Sequence, residues 1–280
     1  MVSTLLGSNI QYYKYPFSCF AEAQKNNGIT EVDLALISPH IYVDSEEIAD
    51  PCAVISTLKE KGISIRTITP MPYRYSICSE KGSFQNEKTI GYYKQCILFA
   101  QRARAEYVLI TASGAEYDKD KNVLLSCAEE TLYTLSTYAE KHEVCLLLGT
   151  VLGEESPYNA STPVLTCLSE IKTVLSQVNS PALKAYLDTL AISLTGETIT
   201  QWFSALGDNI RLIRFTDGNY NGYRIWGTGC LPCEKYLSEL QSSKYSGPLS
   251  LAVPGERYCE NPMEADNLML AYFRAALSKV

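Results

Sequence analysis

Short apolar runs alternate eight times with longer segments of helical periodicity along this 280-residue chain. Each run is too short for a helix and is rich in Val, Ile, Leu or Thr, as in a parallel sheet buried on both faces. The predicted strands are Thr4–Ser8, Glu31–Ile37, Ile63–Thr69, Tyr107–Thr111, Val144–Leu148, Leu183–Asp188, Ile210–Thr216 and Leu249–Val253. This alternation predicts an α/β fold, a single parallel eight-stranded (β/α)8 barrel.

Helices are predicted between and after these strands. Several begin with Ser, Thr or Pro and several are followed by Gly, which are ordinary start and stop signals. The predicted helices are Pro16–Asn26, Ser45–Lys61, Phe84–Arg104, Val123–His142, Pro163–Gln177, Glu197–Leu206, Pro232–Gln241 and Pro262–Leu277. No low-complexity linker or charge block interrupts the pattern, so residues 1–280 are expected to form one domain.

The composition argues against several classes of function. The formal net charge is −7, and the Lys and Arg residues are scattered, so we expect no nucleic-acid partner and no anionic membrane surface. No stretch approaches the roughly 20 apolar residues of a membrane span. The N-terminus also lacks the basic-then-apolar pattern of a signal peptide, so a cytoplasmic location is expected.

The chain contains ten cysteines, most of them within strand or helix patterns, which is typical of reduced, buried thiols. Cys230 and Cys233 have the spacing of a redox motif and precede a predicted helix, where the helix dipole favours a thiolate. The surrounding order of a thioredoxin-like fold is missing. A redox role is therefore the less favoured alternative.

In a (β/α)8 barrel, chemistry is expected at the C-terminal ends of the strands and in the loops that follow them. Here these positions carry many hydroxyl groups and tyrosines, which suit a polyhydroxylated ligand because tyrosine offers an apolar face and a hydroxyl. The alternative is that the tyrosines only cap the barrel and stiffen its loops. The tyrosines are Tyr12, Tyr13, Tyr15, Tyr42, Tyr73, Tyr75, Tyr220, Tyr223 and Tyr258.

Seven segments at matching strand ends carry a family resemblance. They are Ser38–His40, Thr67–Pro70 with Tyr73–Tyr75, Gly91–Lys94, Leu187–Asp188, Ile210–Asp217, Gly227–Pro232 and Pro254–Tyr258. Together they resemble the xylose-isomerase-like TIM-barrel family of sugar and sugar-phosphate isomerases and epimerases. Within it, the ketose 3-epimerases, especially fructoselysine 3-epimerase-like members, look nearest. The resemblance runs from the first strand to the last helix.

The resemblance implies a divalent-metal site, which this sequence alters. Family epimerases hold an ion, often Mn²⁺, with Glu, Asp, His and Glu at the ends of the fifth to eighth strands, and the two glutamates exchange protons with the substrate. The matching positions here are Gly149, Asp188, Arg214 and Ala252. Only Asp188 keeps the family residue, so we expect no metal and no other cofactor.

One alternative would restore the metal. Carboxylates in the adjacent loops could rebuild a site for Mn²⁺ or another divalent ion around Asp188, although they sit beyond the rigid strand ends. These carboxylates are Glu154, Glu155, Asp217 and Glu256.

The predicted catalytic residues are Asp188, Arg214, His40 and Glu256. Our hypothesis is that Arg214 replaces the ion as a fixed positive charge, paired with Asp188. The competing interpretation is that the pair is a buried structural ion pair. His40 is interpreted either as a general base or ligand contact, or as a structural histidine whose hydrogen bonds are satisfied.

Two functions follow from these expectations. The first is a sugar isomerase or epimerase that acts on a ketose-like substrate at the C-terminal mouth. The second is a non-catalytic descendant that binds a sugar ligand or a partner protein. The predicted ligand is a carbohydrate or sugar phosphate, and the resemblance implies a homodimer or homotetramer. The predicted substrate-binding residues are Tyr73, Arg74, Asp217, Arg224 and Arg257.

Overall fold

The computed structural model describes residues 4–71, 75–150, 162–219 and 221–280. Within them, eight parallel strands close into a barrel, and a separate two-stranded antiparallel hairpin is inserted before the last barrel strand. The strands are β1 (Leu5–Ser8), β2 (Glu31–Ala35), β3 (Ser64–Thr69), β4 (Tyr107–Ile110), β5 (Cys145–Leu148), β6 (Leu183–Asp188), β7 (Ile210–Arg214), the hairpin strands β8 (Asp217–Asn219) and β9 (Gly222–Arg224), and β10 (Leu249–Ser250). The predicted barrel is confirmed.

Helices surround the barrel and cover the outward faces of its strands. None of the described helices combines the length and the apolar character needed to cross a membrane. The helices are α1 (Phe17–Asn26), α2 (Cys52–Glu60), α3 (Phe84–Ala103), α4 (Lys121–Lys141), α5 (Leu168–Val178), α6 (Thr189–Leu194), α7 (Ile199–Leu206), α8 (Cys233–Ser242) and α9 (Pro262–Leu277).

Two helices, α2 and α5, begin more than one helical turn after the predicted residue. Helix α2 was predicted from Ser45, but Asp44 accepts hydrogen bonds from the following backbone N–H groups and holds this segment in a turn. The helix starts only after Pro51, which has no N–H to donate. Helix α5 likewise begins at Leu168 rather than at the predicted Pro163.

We call the interior of the barrel the lumen. The side chains that fill it form layers. Five of them form a buried cluster separate from the core that packs against the helices: Leu6, Leu109, Leu147, Tyr186 and Leu212.

Because side chains alternate along a strand, the residues two positions further on also face the lumen, one layer nearer the C-terminal mouth. These residues are Ser8, Thr111, Gly149, Asp188 and Arg214. The family's metal positions on β6 and β7 therefore lie in the layer at the mouth.

Candidate functional site

Asp188 ends strand β6 and is completely buried. Its Oδ1 accepts hydrogen bonds from the backbone N–H groups of Leu190 (3.0 Å) and Ala191 (3.2 Å), and so caps helix α6. Its Oδ2 accepts from the Tyr223 hydroxyl at 2.7 Å and from Arg214 Nη1 at 3.4 Å. The carboxylate thus accepts four hydrogen bonds from other groups of the protein.

Arg214 is the cation of this layer and is only 7% exposed. Its guanidinium carbon lies 5.4 Å from the centre of the Tyr186 ring, within the range of a cation–π contact. Burial lowers the pKa of Arg214, but the interactions with Tyr186 and Asp188 outweigh it and the pKa is raised. Nε is buried and has no hydrogen-bond partner among the described residues. Arg214 is therefore a permanent cation with a donor to spare.

Gly149 makes room for the ring beneath that cation. A Cβ atom at this position would lie 2.2 Å from two carbons of the Tyr186 ring, far inside van der Waals contact. The ring thus fills the space that a side chain at position 149, including the family's Glu, would need. The sequence analysis missed Tyr186. The available signal was its place on β6 two positions before Asp188, which puts both side chains on the same face of the strand.

The environment of Ala252 is apolar. Ala252 is completely buried in a small cluster with Ile10 and Ala35. Asn9 fixes the neighbouring backbone, since its Oδ1 accepts from the Ala35 N–H at 2.7 Å and its Nδ2 donates to the Ala35 carbonyl at 3.1 Å. Nothing at this family position can bind an ion or transfer a proton.

The described residues at the family's metal positions do not fit a divalent ion. Asp188 already accepts four hydrogen bonds, and the other three positions hold Gly149, Arg214 and Ala252. Across the described ranges, no group of three or more His, Cys, Asp or Glu side chains is arranged to hold a metal. Glu154 and Glu155, the predicted replacement ligands on the loop after β5, lie outside the described residues.

Several buried polar atoms in β1, β3, β5 and β7, or directly after them, have no hydrogen-bond partner in the described part of the chain. They are Ser8 Oγ, Thr67 Oγ1, Thr150 Oγ1, Arg214 Nε and Thr216 Oγ1. Buried polar groups are nearly always satisfied by protein, water or ligand, and each unmet one costs about 1–3 kcal/mol. These atoms therefore call for hydrogen bonds from water or from a bound molecule.

His40 has no free ring nitrogen. Its Nε2 lies 2.8 Å from the Tyr15 carbonyl, and its Nδ1 lies 3.3 Å from Asn9 Nδ2. A neutral ring with the proton on Nε2 satisfies both contacts, and burial lowers the pKa of His40 in favour of that form. The ring of Phe17 packs edge-on at 5.2 Å. These contacts favour the structural interpretation of His40.

Asp217 is occupied by the loop that follows the hairpin. Its Oδ1 accepts from the N–H groups of Gly218 (2.8 Å) and Leu231 (2.9 Å), and its Oδ2 accepts from those of Gly227 (3.1 Å) and Gly229 (2.8 Å). Both oxygens of this buried carboxylate are used inside the protein. Asp217 is thus not free to rebuild a metal site or to bind a ligand.

The other predicted rim residues that the structure describes make no hydrogen bond or ion pair with Arg214. Glu256 and Arg257 are exposed on the loop after β10, and Arg224 Nη1 donates to a backbone carbonyl at 3.2 Å. Tyr73 and Arg74 lie outside the described residues.

All ten cysteines are free thiols. Cys230 is exposed and Cys233 is buried. Burial, with the nearby Asp217 and Glu234 charges, raises the pKa of the Cys233 thiol to about 12. A thiolate at Cys233 is therefore disfavoured, which argues against the redox alternative.

The comparisons with known proteins agree with this architecture. A family model described as "xylose isomerase-like TIM barrel" matches residues 21–274. No curated protein sequence matches the chain.

Solved structures give similar folds at low sequence identity. D-allulose 3-epimerase from Methylomonas sp., in complex with D-allulose, is 13% identical with a TM-score of 0.77, covering 99% of this chain and 97% of that one. D-psicose 3-epimerase from Clostridium cellulolyticum H10, with D-tagatose, is 14% identical with a TM-score of 0.73 and the same coverages of 99% and 97%. 3-Keto-D-glucoside 4-epimerase from E. coli is 11% identical with a TM-score of 0.72, covering 96% of this chain and 100% of that one.

Proposed function

This chain belongs to the xylose isomerase-like TIM barrel family, and we propose that it acts as a sugar isomerase or epimerase on a ketose-like carbohydrate at the C-terminal mouth. The observation that carries the proposal is that Arg214 Nε and several hydroxyl groups on the barrel strands, or just after them, are buried without a hydrogen-bond partner among the described residues. A ligand rich in oxygen atoms satisfies such groups, whereas an apolar ligand leaves them unmet. Sugar epimerases among the similar folds support the same ligand class.

Arg214 takes the place of the family's ion in this proposal. Its charge is fixed by the contact with Asp188 and by the Tyr186 ring, so it needs no reorganisation when a ligand arrives. An N–H donor on a permanent cation polarises a ketose carbonyl and stabilises negative charge that develops on its oxygen. The proposed chemistry is therefore independent of metal.

The charge of the site selects the ligand. Arg214 and Asp188 form a pair without net charge, so neither of these two groups is left without its counter-charge when a neutral sugar enters. For a sugar phosphate, the exposed Arg257 on the rim is the residue we propose for the phosphate.

The test uses protein stripped of metal with a chelator and a panel of D-allulose, D-tagatose, D-fructose and L-ribulose. Calorimetry measures binding, and NMR measures conversion to the epimer or isomer. We expect binding without added metal, and a loss of about tenfold or more in Arg214→Met. Arg211→Met is the matched control, because Arg211 lies on the same strand but is exposed. Equal binding by the two variants would refute the role of Arg214.

A non-catalytic sugar-binding protein is the second candidate. The observation in its favour is that Gly149 and Ala252 stand where the family's two proton-transferring glutamates would be. Ketose binding with no conversion and no exchange of substrate hydrogen for solvent deuterium would select this function over the first.

A further inference from the structure

Asp33 is a second carboxylate inside the barrel and lies on β2, where its register partner on β1 is Ser8. Asp33 is completely buried. The Thr69 hydroxyl donates to its Oδ1 at 2.5 Å and the Ser250 hydroxyl donates to its Oδ2 at 2.5 Å. Thr69 is on the neighbouring β3, but β1 separates β2 from the β10 strand of Ser250. The contact with Ser250 therefore has to reach past β1 through the lumen.

The surroundings of Asp33 are polar and incompletely paired. Ser8 and Thr67 are its register partners on the two flanking strands, and the hydroxyl groups of both are buried without a partner among the described residues. Ser250 is in turn the register partner of Arg214, so Asp33 and the guanidinium share a neighbour.

Of the three buried carboxylates near this mouth in the described part of the chain, Asp33 has the most accepting capacity left. Asp188 and Asp217 each accept four hydrogen bonds, whereas Asp33 accepts two. A carboxylate has about four acceptor positions, so Asp33 can still take a proton.

Thr69 connects Asp33 with the mouth. It is the last residue of β3 and is 6% exposed, whereas Ser250 is completely buried. The Thr69 hydroxyl donates to Asp33, which leaves its own lone pairs open to a ligand hydroxyl.

We propose that Asp33 is the proton acceptor for a sugar hydroxyl bound at the mouth and acts through the Thr69 hydroxyl. This inference rests on the proposed function. The ligand O–H bond breaks as a new bond forms to Thr69 Oγ1, while the former Thr69 O–H bond breaks as a bond forms to Asp33 Oδ1. The ligand keeps the electron pair as an alkoxide beside the Arg214 guanidinium, and the reverse transfer restores every group.

The electrostatics of the lumen suit this role. Burial raises the pKa of Asp33, opposed by the Arg214 charge and by the Ser250 and Thr69 hydroxyls. A carboxylate with a raised pKa is a stronger base once it is ionised. The groups facing Asp33 are Arg214 on β7, Tyr186 on β6 and the hydroxyl groups of Thr69 and Ser250.

The experiment incubates metal-free protein in D2O with the ketose of the panel that it binds most tightly, and follows deuterium incorporation and epimer formation by NMR. We expect Asp33→Asn and Thr69→Val to lower the rate by about 100-fold or more. Thr69→Ser keeps the hydroxyl and should stay within about tenfold of the parent. The rate of the parent should rise with pH as Asp33 ionises, and this dependence should vanish in Asp33→Asn.

Asp266→Asn is the matched control, since Asp266 is another carboxyl group with a raised pKa but contacts Tyr12 and Gln24 instead of lumen residues. Its rate should equal that of the parent. Thermal unfolding of each variant separates loss of the proton transfer through Thr69 to Asp33, which we call the relay, from loss of the fold. If Asp33→Asn unfolds, Thr69→Val serves as the second variant.

Exchange by Asp33→Asn within about threefold of the parent overturns the inference and leaves the proposed function standing. Binding of that ketose without any exchange by the parent also overturns the inference and selects the non-catalytic function. Absence of binding by the parent to any ketose of the panel overturns the proposed function and the relay together.

Discussion

Replacing Asp188 by Asn should strongly destabilise the protein while leaving the cap of α6 in place. The Asn Oδ1 still accepts from Leu190 and Ala191, but an amide N–H2 group replaces Oδ2 and faces the two donors Tyr223 and Arg214. The buried cation then loses its ion-pair partner, and only the charge of Asp33, which makes no ion pair with it, still interacts with it. Breaking a buried pair in this way costs about 3–5 kcal/mol of the free energy of unfolding.

Equilibrium unfolding in urea measures that loss. Asp118→Asn is the control, because Asp118 is exposed, and it should change the free energy of unfolding by less than about 0.5 kcal/mol. Adding Arg214→Met to Asp188→Asn removes the uncompensated charge and should recover about 1 kcal/mol or more. A free energy of unfolding of Asp188→Asn within about 1 kcal/mol of the parent value would show that the Asp188–Arg214 pair does not stabilise the fold.

Three further changes follow from the same structure. Gly149→Ala should cost about 1–3 kcal/mol by overpacking against the Tyr186 ring, and the penalty should vanish in a Tyr186→Leu background. Burial raises the pKa of Asp266 from 3.8 to about 6, so the folded protein binds the proton more tightly and stability falls as pH rises from about 4 to 6, by at most about 3 kcal/mol. Asp266→Asn should abolish this fall in urea unfolding. In the native protein at pH 8, a thiol reagent should modify Cys230 well before Cys233.

Each of these has a contrary outcome. Gly149→Ala at parental stability would mean that the ring moves freely. A pH dependence of stability unchanged in Asp266→Asn would assign that dependence to other groups. Equal modification rates at the two cysteines would show that Cys233 opens to solvent.

The barrel could be predicted from sequence because its signal is repeated and local. β6 was predicted with the bounds observed, Leu183–Asp188, since an apolar run of that length between turns has few alternatives. Helix α6 (Thr189–Leu194) was missed, because six residues give no clear periodicity and the helix is capped by the side chain of Asp188. The β8–β9 hairpin was missed because its anchors, Asp217 bound to distant amides and Tyr223 bound to Asp188, are tertiary contacts.

The candidate site was predictable only where it coincides with strand ends. Asp188 and Arg214 were found in this way, and they do pair. Tyr186 was missed because its ring occupies the space that the absent side chain of Gly149 leaves at the end of the neighbouring strand β5. Only the packed barrel reveals this contact. Asp33 was missed because it lies within a strand, although a lone Asp in the apolar segment Glu31–Ile37 is itself a usable signal for a buried polar contact.

Metal titration is the sharpest check on the altered site. The described residues leave Asp188 without a free oxygen, so calorimetric titration of stripped protein with Mn²⁺ should show no tight binding. Arg214→His alone should not restore it, because the Tyr186 ring still blocks position 149.

Restoring the ion requires space as well as ligands. We therefore expect Mn²⁺ binding only when Arg214→His and Ala252→Glu are combined with Gly149→Glu and a smaller residue at Tyr186. Tight Mn²⁺ binding by the parent that is lost on substitution of Glu154 or Glu155 would contradict this reasoning. It would show that carboxylates on the loop after β5 have rebuilt the site, and the role of Arg214 would pass from replacing the ion to supporting it.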